Sequence, residues 1–142
     1  MDFMVITMGK RAEKRRLREE WAKEQKALDA IRLPDQDVSL SEFRDFVVSE
    51  LVSSLNKKEK QFLIEHQNPM DYYFTSCHYI MNVYIANYKM RGYRFTDLSD
   101  DGYSDHFREG FSVELMYEVI KAVCREANVA ISDEYKLCDG YL

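Results

Sequence analysis

Only five glycines and two prolines interrupt the 142 residues of this chain. Glycine and proline supply most of the turns that many short strands need, so their scarcity disfavours a β-sandwich or a barrel. Apolar residues make up 46% of the chain, which is typical of a folded domain with its own core. We therefore predict a mainly α fold, a compact helical bundle.

The N-terminal part of the sequence is basic and typical of one long helix. Good helix formers dominate it, and Pro34 ends the pattern. Residues 1–32 hold nine Lys and Arg against six Asp and Glu (net +3), whereas residues 33–142 hold eleven against nineteen (net −8). We predict a basic N-terminal helix over residues 1–33 and an acidic helical domain over residues 34–142.

A narrow apolar stripe follows this first helix. Leu17, Trp21, Leu28 and Ile31 have the spacing of a coiled-coil seam if Glu24 is allowed as a break. The seam covers about two heptads, which is too short for a stable free coiled coil. We expect it to dock on the domain, on a partner or on a second copy of the chain.

Two capping boxes mark the starts of the next helices. Ser39 is followed three residues later by Glu42, and Asn56 is followed in the same way by Glu59. In such a box each side chain accepts a hydrogen bond from the other residue's backbone N–H. We predict one helix from Ser39 onward and a short one from Asn56 onward.

The longest apolar stretch, residues 72–88, lies in a segment that begins with Asn68 and Pro69, a helix cap followed by proline at the first helical position. Residues 69–90 are apolar on nearly all sides, which is typical of a helix wrapped by others. Gly92 is the expected C-terminal glycine. We predict that residues 69–90 form the central helix of the bundle.

The last long helix is expected to start at a cap on Ser112 and to stop at Asn128. The stretches on either side of it contain turn residues and short alternating patterns. A short hairpin or strand is the alternative left open there, near residues 93–104 or 129–138.

One acidic stretch has the spacing of a calcium loop of the EF-hand type. Clustered oxygen ligands suit a hard cation, and a glycine permits the sharp turn. Arg108 stands where the loop needs a bidentate Glu, so an acidic, Asp-capped surface turn is the other interpretation. The candidate ligands are Asp97, Ser99, Asp101 and Asp105, with Gly102 at the turn.

No other residue pattern suggests a catalytic or cofactor site. The sequence has no glycine-rich phosphate loop, no paired-cysteine motif and no zinc-binding histidine spacing. Cys77 lies in an apolar stretch and is expected to be a small core residue. The chain is therefore predicted not to be an enzyme and to need no cofactor.

Three widely spaced cysteines, Cys77, Cys124 and Cys138, are an odd number and favour a reducing compartment. The longest apolar stretch carries His78, Asn82 and Asn87, which disfavours a membrane span. We expect a cytoplasmic protein with no membrane partner.

The basic first helix is the most conspicuous candidate for a binding surface. Its cations recur at helical spacing, so several of them share one broad face that suits the phosphates of a nucleic acid or an acidic protein surface. The alternative is a solvated helix face without a partner. The candidate partner-binding residues are Lys10, Arg11, Lys14, Arg15, Arg18 and Trp21.

Two segments resemble parts of known small proteins. Residues 73–84, with the pattern aromatic pair, small residue and Ile-x-Asn-x-Tyr, are similar to the central motif of small uncharacterised bacterial and phage helical domains. In those domains a Ser-capped helix follows, as residues 111–115 suggest here, and Met81 takes the place of an arginine. Residues 8–16 resemble the leaders of small phage-encoded proteins. The resemblance implies a mobile-element origin.

These observations predict a non-enzymatic interaction protein. Its small size and acidic body suit an inhibitor or modulator of a host nucleic-acid-associated defence complex, with a host protein or ribonucleoprotein as its partner, and the resemblance implies that it is phage-encoded. A nucleic-acid-binding module that uses the basic helix is the alternative function. Self-association through the first helix is a further expectation.

Overall fold

The computed structural model describes residues 9–132, with side chains from residue 11 onward, and this part of the chain is mainly α-helical. The α-helices are α1 (Gly9–Ala30), α2 (Leu40–Ser54), α3 (Lys57–Glu65), α4 (Asn87–Met90) and α5 (Asp105–Glu126). The predicted mainly α fold is confirmed.

The chain divides into two compact units, residues 1–32 and residues 33–142. In its described part, the first unit consists of α1 and the residues that follow it. The second unit contains the remaining helices.

The two predicted capping boxes are confirmed. Ser39 Oγ accepts a hydrogen bond from the backbone N–H of Glu42 (3.1 Å), and the Glu42 carboxylate accepts one from the N–H of Ser39 (3.4 Å). Asn56 and Glu59 form the same pair of bonds, at 2.8 and 3.0 Å. These bonds satisfy N–H groups that the first helical turn leaves free, so α2 and α3 start where the sequence places them.

Residues 69–90 are helical, but they do not form one α-helix. They comprise a 3₁₀ turn (Pro69–Tyr72), two π-helical segments (Tyr73–Cys77 and Ile80–Ala86) and α4. We call residues 69–90 the composite helix. It ends as predicted at Gly92, whose φ of 95° is one that residues with a Cβ rarely adopt.

The centre of the second unit is occupied by α5 rather than by the composite helix predicted there. α5 packs against α2, α3 and the successive segments of the composite helix. Residues 111–117 are buried on all sides of α5, whereas the composite helix leaves Phe74 and Met90 exposed. The sequence of α5 resembles that of a surface helix because it contains polar Ser112 and Glu114, yet both of these residues are buried.

The start of α5 also differs from the prediction. The helix is capped by Ser104, whose Oγ accepts a hydrogen bond from the N–H of Phe107 (3.1 Å). Ser112 lies inside the helix, and its hydroxyl donates to the carbonyl oxygen of Glu109 (2.7 Å). A serine within a helix can bond backward in this way, so its identity alone does not mark a cap.

The predicted stop at Asn128 is confirmed. Asn128 has a φ of 57° and donates its N–H to the carbonyl oxygen of Arg125 (3.1 Å). The N–H of Val129 donates to the carbonyl oxygen of Cys124 (2.8 Å). This pair of bonds is a Schellman motif, which satisfies carbonyl groups at the end of α5.

The alternative of a strand is not realised in the described residues. An isolated parallel bridge joins Val38 and Phe95, and residues 93–104 otherwise contain turns and a short 3₁₀ segment (Asp100–Gly102). Residues 129–132 form no strand, and residues 133–138 lie outside the described part of the chain.

A cluster of aromatic rings forms the core beside this bridge. The ring of Phe43 lies 5.0 Å from those of Tyr88 and Phe95 and 6.1 Å from that of Phe111, measured between centroids. Phe43, Tyr88 and Phe111 are fully buried. The cluster joins α2, α4 and α5 into one packed unit.

Candidate functional site

The basic residues predicted to bind a partner do lie on one helix. At about 100° of rotation per residue, Lys14, Arg18, Arg11 and Arg15 fall within a sector of about 100° on α1. All four side chains are exposed. We call these four residues the basic face. Lys10 belongs to the same helix, and its side chain lies outside the described part.

Trp21 lies at the edge of the basic face. Its direction is about 20° from that of Lys14, and 71% of its surface is exposed. Leu17, 52% exposed, lies one turn before it along the predicted seam. An open groove of about 390 Å³ follows this seam and is bordered by Arg18, Glu20 and Glu24. The seam therefore places two apolar side chains within a charged surface.

The other flank of the seam is acidic. Glu13, Glu20 and Glu24 fall within a sector of about 40°, on the side of the seam away from the basic face. Between described residues, no ion pair involves a side chain of the basic face. The helix thus carries a basic face, an apolar seam and an acidic strip side by side.

In the acidic loop that has calcium-loop spacing, the side-chain oxygen atoms make other contacts. The Asp97 carboxylate accepts a hydrogen bond from the N–H of Leu40 (2.9 Å) at the start of α2. Ser99 Oγ accepts one from the N–H of Gly102 (3.2 Å), and the Asp105 carboxylate pairs with the Arg108 guanidinium.

These contacts do not gather ligands around a common point. Within residues 11–132 no group of three or more His, Cys, Asp or Glu side chains is arranged to hold a metal ion. The four candidate residues are therefore described better as an Asp-rich turn, in which Asp97 bonds the start of α2, Ser99 caps the 3₁₀ segment Asp100–Gly102, Asp105 pairs with Arg108 and Asp101 is exposed.

The described cysteines are not placed for nucleophilic chemistry. Cys77 is fully buried, and burial raises the pKa of its thiol to about 11. Burial also raises the pKa of Cys124, which is fully buried in α5. A thiol needs an accessible thiolate to react, so both side chains are suited to packing. Cys138 lies outside the described residues.

An exposed aromatic cluster was missed by sequence reasoning. Phe74 is 82% exposed, and its ring lies 5.0 Å from that of Tyr73 and 5.9 Å from that of His78. The neighbouring tyrosines are less exposed than Phe74: Tyr72, Tyr84, Tyr88 and Tyr117 are buried, and Tyr73, Tyr93 and Tyr103 are half-buried. The π-helical register that turns Phe74 outward has no signature in the sequence.

A polar groove of about 510 Å³ lies between α2 and α5. Four of its charged side chains form two ion pairs: Lys60 with Glu126 at 2.8 Å, and Arg44 with Asp45 at 3.0 Å. Such pairing leaves this groove less suited to binding a charged ligand than the exposed basic face of α1.

None of the helices in the described part is both long and apolar enough to cross a membrane. Comparisons with protein-family models, with curated proteins and with solved structures find no match to this chain. What the protein binds therefore has to be inferred from its own residues and their geometry.

Proposed function

We propose that this chain is a non-enzymatic binding protein whose basic helix α1 docks on an acidic surface of a partner protein. The observation that carries the proposal is the basic face with Trp21 at its edge. Arginine and tryptophan are the residue types that most often dominate the binding energy of protein interfaces. Complementary charge would also speed the encounter with the partner.

A protein partner suits this helix better than a nucleic acid does. Glu13, Glu20 and Glu24 lie on the same helix and would repel phosphates that approached the seam. Residues 33–142 carry a net charge of −8, which also opposes a polyanion. A protein surface can match acidic, apolar and basic strips at once. The resemblance noted in the sequence extends the proposal to a host protein or ribonucleoprotein that the chain inhibits or modulates.

Charge reversal of the basic face tests this proposal. The triple variant Arg11→Glu, Arg15→Glu, Arg18→Glu removes most of the face and leaves the seam intact. Wild type and variant are used to capture proteins from a nuclease-treated host lysate, and recovery is quantified by mass spectrometry. We expect an acidic protein recovered by wild type to be lost with the variant.

A matched control changes the same amount of charge elsewhere on the same helix: Arg16 and Lys23 point about 80–100° away from Arg15, and Lys26 points near Arg15 but lies about 16 Å further along the axis. The variant Arg16→Glu, Lys23→Glu, Lys26→Glu reverses three cations outside the basic face, and circular dichroism checks that both variants keep their helix. The control should recover the partner as wild type does. Equal recovery by all three proteins, or equal loss in both variants, would contradict docking through the basic face.

Nucleic-acid binding is the second candidate, because four exposed cations within one sector can neutralise several phosphates. Fluorescence anisotropy with labelled duplex DNA and single-stranded RNA tests it across a series of salt concentrations. Binding that weakens steeply with salt and disappears in the basic-face variant would make nucleic acid the partner. Failure of wild type to bind either probe at low salt would remove this candidate.

A further inference from the structure

The part of the seam that contains Leu17 and Trp21 is self-complementary about position 19. Leu17 and Trp21 each lie two residues from position 19, which is about 3 Å along the helix axis, and both are exposed. Lys14 and Glu24 each lie five residues from the same position, or about 7.5 Å. The seam therefore has an apolar centre and opposite charges at equal distances on its two sides.

We propose that this seam binds the seam of a second copy of the chain in an antiparallel pair centred on residue 19. In that arrangement Leu17 of one copy packs against Trp21 of the other, and the reverse contact forms by symmetry. Lys14 of each copy meets Glu24 of the other. Such an isologous contact, in which one surface matches itself, is the common form of a two-fold dimer.

The charges in the seam select the antiparallel direction. A parallel, in-register pair would place Lys14 against Lys14 and Glu24 against Glu24 within the interface, where like charges are costly. The antiparallel pair replaces both repulsions with attractions. On the two flanks of the seam, Arg18 would approach Arg18 of the other copy, and Glu20 would approach Glu20. These side chains are exposed, so solvent screens the repulsion between them.

This pairing goes beyond the proposed function: it uses Trp21 and Lys14 in the contact between copies and leaves Arg11 and Arg15 of the basic face outside that contact. Arg11 points about 100° away from the centre of the seam and Arg15 about 140° away. An antiparallel dimer would therefore present two outward-facing sets of arginines. Its existence does not depend on what those arginines bind.

The single tryptophan of the chain makes the seam directly observable. Trp21 emission and the mass from analytical ultracentrifugation are recorded for the full chain from micromolar to millimolar concentration. Pairing predicts that the mass rises toward that of a dimer while the emission moves to shorter wavelength over the same range. A monomer at every concentration, whatever its emission, would overturn the proposal, including the case in which α1 docks on its own second unit.

Charge exchange tests the direction. Lys14→Glu alone and Glu24→Lys alone should each raise the dissociation constant at least about tenfold, because each leaves two like-charge contacts in the seam. The double variant should restore pairing, and a mixture of the two single variants should pair with each other. Arg15→Glu and Glu19→Lys carry the same charge changes outside the seam and should pair like wild type.

Two results would overturn the antiparallel arrangement even if a dimer forms. One is a dimer that the two single variants leave unchanged, which is the behaviour of a parallel pair. The other is equal weakening by the seam variants and by their matched controls, which would indicate a general charge effect.

Discussion

The hydroxyl of Tyr88 donates a 2.6 Å hydrogen bond to the carbonyl oxygen of Gln36, 52 residues earlier in the chain. The same hydroxyl accepts a 3.0 Å bond from the N–H of Val38. One phenol thus satisfies two backbone groups of the segment that leads into α2. The segment between Pro34 and α2 is therefore held against the core.

Replacing Tyr88 with phenylalanine keeps the buried ring and removes these bonds. Because Tyr88 is fully buried and its backbone partners would lose their bond, we expect Tyr88→Phe to lower the free energy of unfolding by about 1–3 kcal/mol. Urea denaturation followed by far-ultraviolet circular dichroism measures the change. Tyr79→Phe is the control, since Tyr79 is exposed, and a loss no larger than in that control would contradict the role of the hydroxyl.

The stability of the second unit should fall at high pH because of two buried tyrosines. Burial raises the pKa of Tyr72 and of Tyr84 from 10.0 to about 12; nearby Asp71 adds to the shift of Tyr72, and Tyr79 and then Glu50 add to that of Tyr84. In the unfolded chain these phenols ionise near pH 10, while the folded chain keeps their protons. Their contribution is therefore fully present below about pH 10 and is lost as the pH rises toward about 12.

The pH dependence is measured as the slope of unfolding free energy against pH, by urea denaturation between neutral and strongly alkaline conditions. Removing both hydroxyls with Tyr72→Phe and Tyr84→Phe should flatten that slope, even if the variant is less stable at neutral pH. Tyr73→Phe serves as the control, because Tyr73 contributes to neither shift. An unchanged slope in the double variant would show that other groups cause the alkaline loss.

The two serines of the last helix should differ in their effects. Ser104 caps α5, so Ser104→Ala is expected to cost about 1 kcal/mol of unfolding free energy. Ser112 bonds only to a carbonyl within the same helix, and Ser112→Ala is expected to stay within about 0.5 kcal/mol of wild type. Thermal and urea denaturation compare the pair. The opposite order would place the functional cap at Ser112 after all.

Asn128 should tolerate glycine better than alanine. Its φ of 57° is left-handed, a conformation that costs about 1–2 kcal/mol for a residue with an ordinary Cβ. We expect Asn128→Ala to lower the melting temperature and Asn128→Gly to leave it close to wild type, as measured by calorimetry. Asn82→Ala, at an exposed position of the composite helix, is the control for loss of an asparagine side chain. If Asn128→Ala and Asn128→Gly lower the melting temperature equally, the conformational explanation is wrong.

Local features were predictable because their partners are near in sequence. The capping boxes at Ser39 and Asn56 involve residues three apart, and the stop at Asn128 depends on conformational preference at one residue. The basic face follows from the 3.6-residue period of a continuous helix, so its members can be predicted from the sequence. These features need no knowledge of distant contacts.

Features that depend on long-range packing were not predictable in the same way. The burial of Ser112 and Glu114 follows from elements that surround α5 on all sides, which composition does not report. The exposure of Phe74 depends on the π-helical register of residues 73–77, and a hydrophobic pattern read with an α-helical period places that ring in the core. The functional role of α1 and the partner proposed for it stay predictions.

The wide turns of the composite helix also decide which deletions it tolerates. A π-helical turn closes its hydrogen bonds over one more residue than an α-helical turn does. Deleting one residue within the first π-helical segment, such as Ser76, would remove that extra residue, so regular α-helical bonding could form while Tyr84 and Tyr88 keep their direction toward the core. The same deletion in a regular α-helix such as α5 would rotate every later side chain by about 100°, so residues 73–77 should tolerate a single-residue deletion that α5 rejects.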